Sequence, residues 1–307
     1  MIRTGHLVGA AWVALGCHAT TGPVPLGFGR EIEFSTHREV DVGFESAGGI
    51  VLAATLILPK AHGSYPAIVM HFGSDRWTRA TYDSSHLAFW IDNGIAVLTY
   101  DKRGVGRSQG TCCPWRNPTY FPLLAQDVIA GVRTVKQHPE INGPYVGAWG
   151  FSQGGWIVPM AASLAPGEIA WMILGSGPAV SVGEELLYGS LTGDDVCQPT
   201  GLPADDIERQ LDAAGPSGYD PRPVLAGLPT PGLWIYGALD TSLPVARSAA
   251  VLEALRAQGR DFTSIVVPRL NHEWILDGAM CQHDGPGGID GTLITMWLWP
   301  RLGRSPP

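Results

Sequence analysis

The chain has 307 residues, 45% of them hydrophobic and only 16% charged, against about 25% charged in an average soluble protein. That supplies a sizeable core and excludes a disordered chain, and no G-X-Y or heptad period points to a fibrous one. Twenty-eight acids against twenty bases leave a net charge of −8, which argues against a nucleic-acid partner, because such binding needs a basic face.

Arg3, the apolar run Leu7 to Leu15 and then Ala14-Leu15-Gly16-Cys17 read as a secretory signal peptide over residues 1–20. The run is too short to span a bilayer, and no stretch of about 18 clean apolar residues follows it. The segment also resembles a bacterial lipoprotein signal, in which Cys17 becomes the lipidated N-terminus, although Ala14 stands where that signal usually carries Leu. The expectation is an exported protein (periplasmic, secreted or lipid-anchored) whose route to membrane attachment is a lipidated Cys17. A frayed apolar start on a cytoplasmic protein is the alternative. Export permits disulfides among Cys112, Cys113, Cys197 and Cys281. The neighbours Cys112 and Cys113 are each available to a distant partner, three pairings are formally open, and four reduced buried thiols are the other reading. No CxxC pair suggests zinc.

Residues 21–36 are rich in Gly and Pro and read as loop. Val40 to Phe44 and Ile50 to Leu58 flank Ser46-Ala47-Gly48-Gly49, a hairpin signal. Strands are expected at Ala67 to Met70, Ala96 to Tyr100, Tyr145 to Trp149, Trp171 to Leu174, Leu233 to Tyr236 and Ser264 to Val267. Helical spacing marks Ser84 to Asp92, Leu123 to Val135, Gly155 to Leu164, Val245 to Ala257 and Ile289 to Trp299. Strands alternating with helices imply an α/β fold, a mostly parallel sheet with helices on both faces. Solid apolar runs such as Ile68-Val69-Met70 and Ile265-Val266-Val267 fit strands buried on both sides. Between Pro178 and Leu228 the rhythm breaks, with one helical piece near Asp205 to Ala213, and this stretch reads as a small cap insertion over the sheet. No internal repeat is visible.

The pattern G-x-S-x-G occurs twice, at Gly150-Phe151-Ser152-Gln153-Gly154 and at Gly106-Arg107-Ser108-Gln109-Gly110. Context separates them. A nucleophile elbow needs a strand before the serine and a helix after it. Ser152 has both, whereas Ser108 is followed by Thr111-Cys112-Cys113-Pro114-Trp115, which cannot open a helix. Ser152 is therefore the candidate nucleophile, and a plain helix-capping serine is the bland alternative. A serine hydroxyl needs a base, and in an elbow of this kind the partners follow in the order Ser, acid, His. Asp240 lies just past the strand at Leu233 to Tyr236, and His272 just past the last strand. Asp277 and Asp284 are weaker candidates for the acid, and His283 sits further into a Gly-rich loop. His272 would take the serine proton and Asp240 would orient the imidazole. The oxyanion donors are expected from the backbone N–H of Gln153 and from Gly73, with Phe72 or Ser74 as alternatives to Gly73. His71 reads as structural.

These motifs resemble the α/β-hydrolase superfamily, in its bacterial dienelactone-hydrolase-like and prolyl-oligopeptidase-like branch. The resemblance runs over about residues 38–301. It rests on Tyr100 to Ser108, on Trp149 to Trp156, on Ser176-Gly177-Pro178-Ala179, on Tyr236 to Asp240 and on Asn271-His272. It implies the α/β-hydrolase fold and a role for the Asp101 to Ser108 loop in shaping the turn beside the site. His71-Phe72-Gly73 departs from the His-Gly usual in relatives. The resemblance further implies hydrolysis of carboxylic esters or thioesters, less often of peptides.

The functional expectation is a serine esterase acting on a small-molecule ester through Ser152, His272 and Asp240 by way of an acyl-enzyme, with no cofactor and no metal. An aminopeptidase or amidase, a thioesterase and a non-catalytic exported binding protein are the competing readings. The second would need Glu184, Glu185, Asp194 or Asp195 to hold an amine, although these acids read more simply as a solvated face. Trp77, Trp115, Trp156 and Trp274 fall near loop or elbow positions, as core or as pocket lining. Acyl group, leaving group and oligomeric state stay open.

Overall fold

The computed structural model describes residues 24–81, 84–112, 117–285, 287 and 289–305. The expected signal over residues 1–20 with Cys17, and also Cys113 and Trp115, lie outside them. The strands are β1 Gly27–Glu33, β2 His37–Ser46, β3 Ile50–Pro59, β4 Tyr65–His71, β5 Ala96–Tyr100, β6 Ile141–Phe151, β7 Met172–Gly175, β8 Gly232–Gly237 and β9 Phe262–Val267. They form one sheet in the order β1-β2-β3-β5-β4-β6-β7-β8-β9. The pairings β1–β2, β2–β3 and β3–β5 are antiparallel, and every pairing from β5 onward to β9 is parallel. The helices are α1 Ser84–Asp92, α2 Phe121–Val135, α3 Gly154–Leu164, α4 Val182–Thr192, α5 Ala204–Ala214, α6 Arg222–Gly227, α7 Val245–Ala257 and α8 Gly291–Leu298. Among the described residues no helix is long and apolar enough to cross a membrane.

The period of two along each central strand sends its residues alternately to two separate cores. Ala67, Val69, Leu98, Ala148, Met172, Leu174, Trp234 and Tyr236 pack with α2, α3 and α7 on one face. Ile68, Met70, Val97, Trp149, Ile173, Leu233 and Ile235 pack with α1 and α8 on the other. This is why the central strands are apolar without a break. The outer strands escape that demand. Val266, placed by its apolar run among strands buried on both sides, is 44% exposed because β9 is the sheet edge.

Three stretches differ from the sequence reading. Residues 21–36 were expected to be loop, but Gly27 to Glu33 form β1. This strand pairs only with β2 and its side chains are mostly exposed, so it carries no hydrophobic alternation to betray it. The cap also holds more helix than the single piece expected. It contains α4, α5 and α6 and a short 3-10 turn at Asp194–Val196. The signal for α4 was present: Ser181 and Glu184 make a reciprocal capping box at its start. Gly183 and Gly189 inside the helix lower its intrinsic propensity and hide it. Finally, β6 begins at Ile141 rather than Tyr145 because Tyr65 pairs with Ile141 beyond a register shift that the apolar run does not mark.

The contact between β6 and the residue that leads into β7 shows how tightly the chain closes. A Cβ on Gly147 would stand 2.2 Å from the Trp171 ring, and Trp171 is fully buried. Gly147→Ala should therefore lower unfolding stability by about 1–3 kcal/mol through overpacking. Urea denaturation would read this as a reduced midpoint at unchanged slope.

Candidate active site

β6 ends at Phe151, the chain reverses at Ser152 and α3 begins at Gly154. Ser152 sits at φ 51, a left-handed conformation that a non-glycine residue adopts at a cost of order 1 kcal/mol or more. Its neighbours hold it there. The Ser152 N–H donates to the Gly175 carbonyl at 2.9 Å, and the Ser152 carbonyl accepts from Gly155 N–H at 2.8 Å. The flanking glycines answer to close approach. A Cβ on Gly150 would meet the Gly154 carbonyl oxygen at 2.6 Å, and one on Gly155 would meet the Gly177 Cα at 2.3 Å. Ser108, in the second G-x-S-x-G, has a different use. Its hydroxyl donates to the Asp101 carbonyl at 2.6 Å and accepts from Ala53 N–H at 2.9 Å, locked inside a buried turn.

Asp240 follows β8. One carboxylate oxygen, Oδ1, accepts from the backbone N–H groups of Ser242 (2.9 Å) and Leu243 (3.1 Å). The other, Oδ2, meets His272 Nδ1 at 2.8 Å. Two backbone donors thus aim the carboxylate at Nδ1 of the imidazole. The Asp240 side chain is fully buried and that of His272 is 16% exposed. The His272 loop is tied to the elbow from two sides. Ser176 Oγ donates to the His272 carbonyl at 2.7 Å. The Phe151 ring meets the imidazole edge-on at 5.5 Å between centroids, and Ser152 is the next residue. Burial pulls the His272 pKa down, but the charge and hydrogen bond of Asp240, with Glu273 and Asp194 behind, outweigh it and raise it from 6.5 to about 9. The folded protein therefore binds this proton more tightly than the unfolded chain. The contribution to stability is full below 6.5 and is lost as pH rises through about 9.

The loop after β4 lies against Ser152. A Cβ on Gly73 would stand 3.2 Å from the Ser152 Cβ and 3.7 Å from its Oγ, so glycine keeps this approach open. Among the described residues the backbone amides of Gly73 and Ser74 donate to no backbone acceptor. Gln153, on the other side of Ser152, takes the N-cap position of α3 without a side-chain capping bond. His71 is structural: its Nδ1 bonds the Tyr100 hydroxyl at 2.5 Å, and burial together with the charge of Lys102 holds its pKa well below the usual value. Phe72 stacks on Trp77 at 4.8 Å and packs edge-on against Trp149 at 4.9 Å. Two of the tryptophans weighed as lining are core instead. Trp156 stacks on Phe121 and donates its indole N–H to the Val180 carbonyl; Trp274 is buried against Phe151. Trp77 is half-buried.

The cap reaches the acid loop. Asp194 accepts from the hydroxyls of Thr241 (2.7 Å) and Ser242 (2.6 Å), and Tyr188 donates to the Asp240 carbonyl at 3.4 Å. Glu184 is buried with Ser181 and pairs with Arg222. Neither Glu184 nor Asp194 is the solvated charge the sequence suggested, because each closes a hydrogen-bond set inside the cap or beneath it. The alternatives to Asp240 and His272 lie elsewhere. Asp277 forms an exposed ion pair with Arg269, Asp284 accepts through its carbonyl from Gln282, and the exposed His283 faces Glu273 at 3.4 Å.

Cys197 in the cap and Cys281 in the loop beyond His272 form a disulfide with Cα atoms 5.6 Å apart. This corrects the reading in which Cys112 and Cys113 each take a distant partner among these two, and also the reading of four reduced thiols. Cys112 is itself disulfide-bonded. Only the packing of the cap onto the sheet edge brings Cys197 and Cys281 together across 84 residues of sequence.

A family model described as X-Pro dipeptidyl-peptidase (S15 family) matches residues 48–214, more than half of the chain. The chain belongs to the S15 peptidase family. The match contains Ser152 and ends before Asp240 and His272. The chain is 33% identical over 125 residues to Thiohydrolase apmlB of Arthrinium phaeospermum, covering 41% of this chain and 39% of that protein. It is 31% identical over 111 residues to Esterase FrsA of Escherichia coli O1:K1 / APEC, covering 36% of this chain and 25% of that protein. It thus spans less than half the length of these curated relatives. Among solved structures, the acetyl xylan esterase of Paenibacillus sp. R4 superposes with a TM-score of 0.56 at 17% identity, over 81% of this chain and 83% of that one. The acylaminoacyl peptidase of Pyrococcus horikoshii superposes with a TM-score of 0.60 at 16% identity, over 82% and 40%. These likenesses establish the α/β-hydrolase fold.

Replacing both Cys197 and Cys281 by Ser should cost about 2–4 kcal/mol, the usual worth of a cross-link closing a long loop. Thermal unfolding of the oxidised protein against the double variant measures it.

Proposed function

We propose that this S15-family hydrolase is a serine esterase that cleaves small-molecule carboxylic esters through Ser152, His272 and Asp240. The observation that carries the proposal is the part-buried Asp240–His272 hydrogen bond of 2.8 Å, with the His272 ring packed on Phe151, the residue before a serine in the left-handed conformation. In this mechanism His272 Nε2 takes the Ser152 proton as Oγ attacks the ester carbonyl carbon. The carbonyl electrons move to oxygen, and the oxyanion is met by the Gln153 amide and by an amide of the Gly73 loop. Collapse expels the alkoxide, which receives the proton from His272 and leaves the acyl group on Ser152. Water then repeats the sequence and releases the carboxylic acid. No step needs a metal or a cofactor.

The S15 match favours amide cleavage as the second reading, and the thiohydrolase relative favours a thioester. Two of the acids that an amine-binding cap would need, Glu184 and Asp194, are already engaged with Arg222 and with Thr241 and Ser242. This supports the ester. The disulfide between Cys197 and Cys281 supports export, since disulfides persist in oxidising compartments.

A panel of p-nitrophenyl esters, acyl thioesters and aminoacyl anilides tests the substrate class. The proposal expects esters to be preferred, and Ser152→Ala to abolish both turnover and labelling by a fluorophosphonate. Turnover that survives Ser152→Ala would overturn the mechanism.

The pH dependence follows from the raised pKa of His272. Only the neutral imidazole accepts the serine proton, so the limb of kcat/KM that His272 sets should climb with pH toward about 9. Asp240→Asn removes the charge that raises the imidazole pKa. It should move the climbing limb to lower pH while lowering the plateau by roughly 10⁴-fold.

A further inference from the structure

The Asp101 to Ser108 loop is the most specific motif left without a role in the chemistry. It is built as a rigid knot. Asp101 accepts from the backbone N–H groups of Arg79 and Arg107, both at 2.8 Å. Arg103 pairs with the buried Asp127 on α2 and donates to the Ala47 carbonyl at 3.0 Å. Ser108 closes the turn on Asp101 and Ala53. One side chain of the knot points away from these contacts. The Lys102 ammonium donates to the carbonyl oxygen of Gly73 at 2.5 Å, and Lys102 is only 5% exposed. Its backbone also grips the same loop, with Lys102 N–H donating to the Trp77 carbonyl at 3.1 Å.

The place of this contact matters. The Gly73 carbonyl and the Ser74 N–H belong to one planar peptide group. The Cα of Gly73 is set against Ser152. A hydrogen bond from an ammonium fixes the rotation of that peptide. It also draws electron density toward the carbonyl oxygen, which strengthens the N–H as a donor. Burial lowers the Lys102 pKa to about 8 against the raising charges of Asp75 and Asp127, so the amine carries its charge at neutral pH. Burial and the Lys102 charge hold the His71 pKa well below 6.5, so His71 adds no second positive charge at neutral pH.

We infer that Lys102 is a positioning residue for the oxyanion hole, holding the Gly73–Ser74 peptide in place against the Ser152 elbow through the bond to the Gly73 carbonyl and adding a buried positive charge behind it. The inference rests on the proposed serine mechanism and names the residue that organises its oxyanion loop. Lys102 touches no substrate. Its effect is confined to the state in which negative charge has developed on the carbonyl oxygen.

The test compares wild type with Lys102→Met on a p-nitrophenyl ester and with a trifluoromethyl ketone, which adds to Ser152 and leaves an oxyanion in the hole. The expected result is a fall in kcat of at least about tenfold with KM within about twofold, and a loss of ketone affinity by the same factor as kcat/KM. A residue that only supports the fold would not produce that parallel. An unchanged kcat in folded Lys102→Met overturns the inference, and so does a reduced kcat with unchanged ketone affinity. If Lys102→Met does not fold, Lys102→Gln, which keeps a donor without the charge, is read by the same criteria. Loss of the fold in both variants makes Lys102 structural and also overturns it. Ser152→Ala run in parallel separates the two levels. Turnover surviving that change sinks the serine mechanism, whereas a dead Ser152→Ala beside a fully active Lys102→Met sinks only the role of Lys102.

Discussion

Everything in the site is arranged around one backbone constraint, the left-handed turn at Ser152. A serine stays at φ 51 only if the surrounding chains leave it no alternative. Gly175 takes its N–H, Gly155 donates to its carbonyl, and Gly150 and Gly155 bring neighbouring segments within distances that exclude a Cβ, with Gly73 close behind. The strain is maintained by the parallel strands β4, β6 and β7, whose carboxyl ends meet at this point. The order reversal in the sheet places β4 between β5 and β6. In open α/β sheets the crevice at such a switch point is where ligands bind.

The remaining chemistry is hung from the same edge by polar ties. Asp240 is aimed by two backbone donors, and His272 is aimed by Asp240 and anchored through Ser176. Both loops are stabilised from the cap side, by Asp194 through Thr241 and Ser242 and by the disulfide to Cys281. The segment between Pro178 and Leu228 is therefore a brace for the Asp240 and His272 loops. The opposite side of Ser152 is braced by the Asp101 to Ser108 knot, which reaches the Gly73 loop through Lys102.

Much of this could be read in advance because the relevant signals are local. A strand, a glycine-flanked serine and a helix in succession define an elbow wherever they occur, and that context separated Ser152 from Ser108. The order of acid and histidine after their strands led to Asp240 and His272, which the structure brings within 2.8 Å of each other. The features missed were those whose signal is weak or split. β1 is an exposed edge strand with little apolar pattern. α4 carries a clear capping box but contains two glycines. Glu184 and Asp194 looked like surface charge because their partners, Arg222, Thr241 and Ser242, lie 38 to 48 residues away.

By itself the sequence determined the alternation of strands and helices, the two-sided burial of the central strands and the position of the elbow. Each of these is a property of residues within a few positions of one another, governed by side-chain period and by turn stereochemistry. Tertiary structure alone decided which cysteines pair, which acids are buried and what Lys102 holds. These depend on contacts between segments far apart in the chain, where loop closure and packing, rather than local preference, choose the partner.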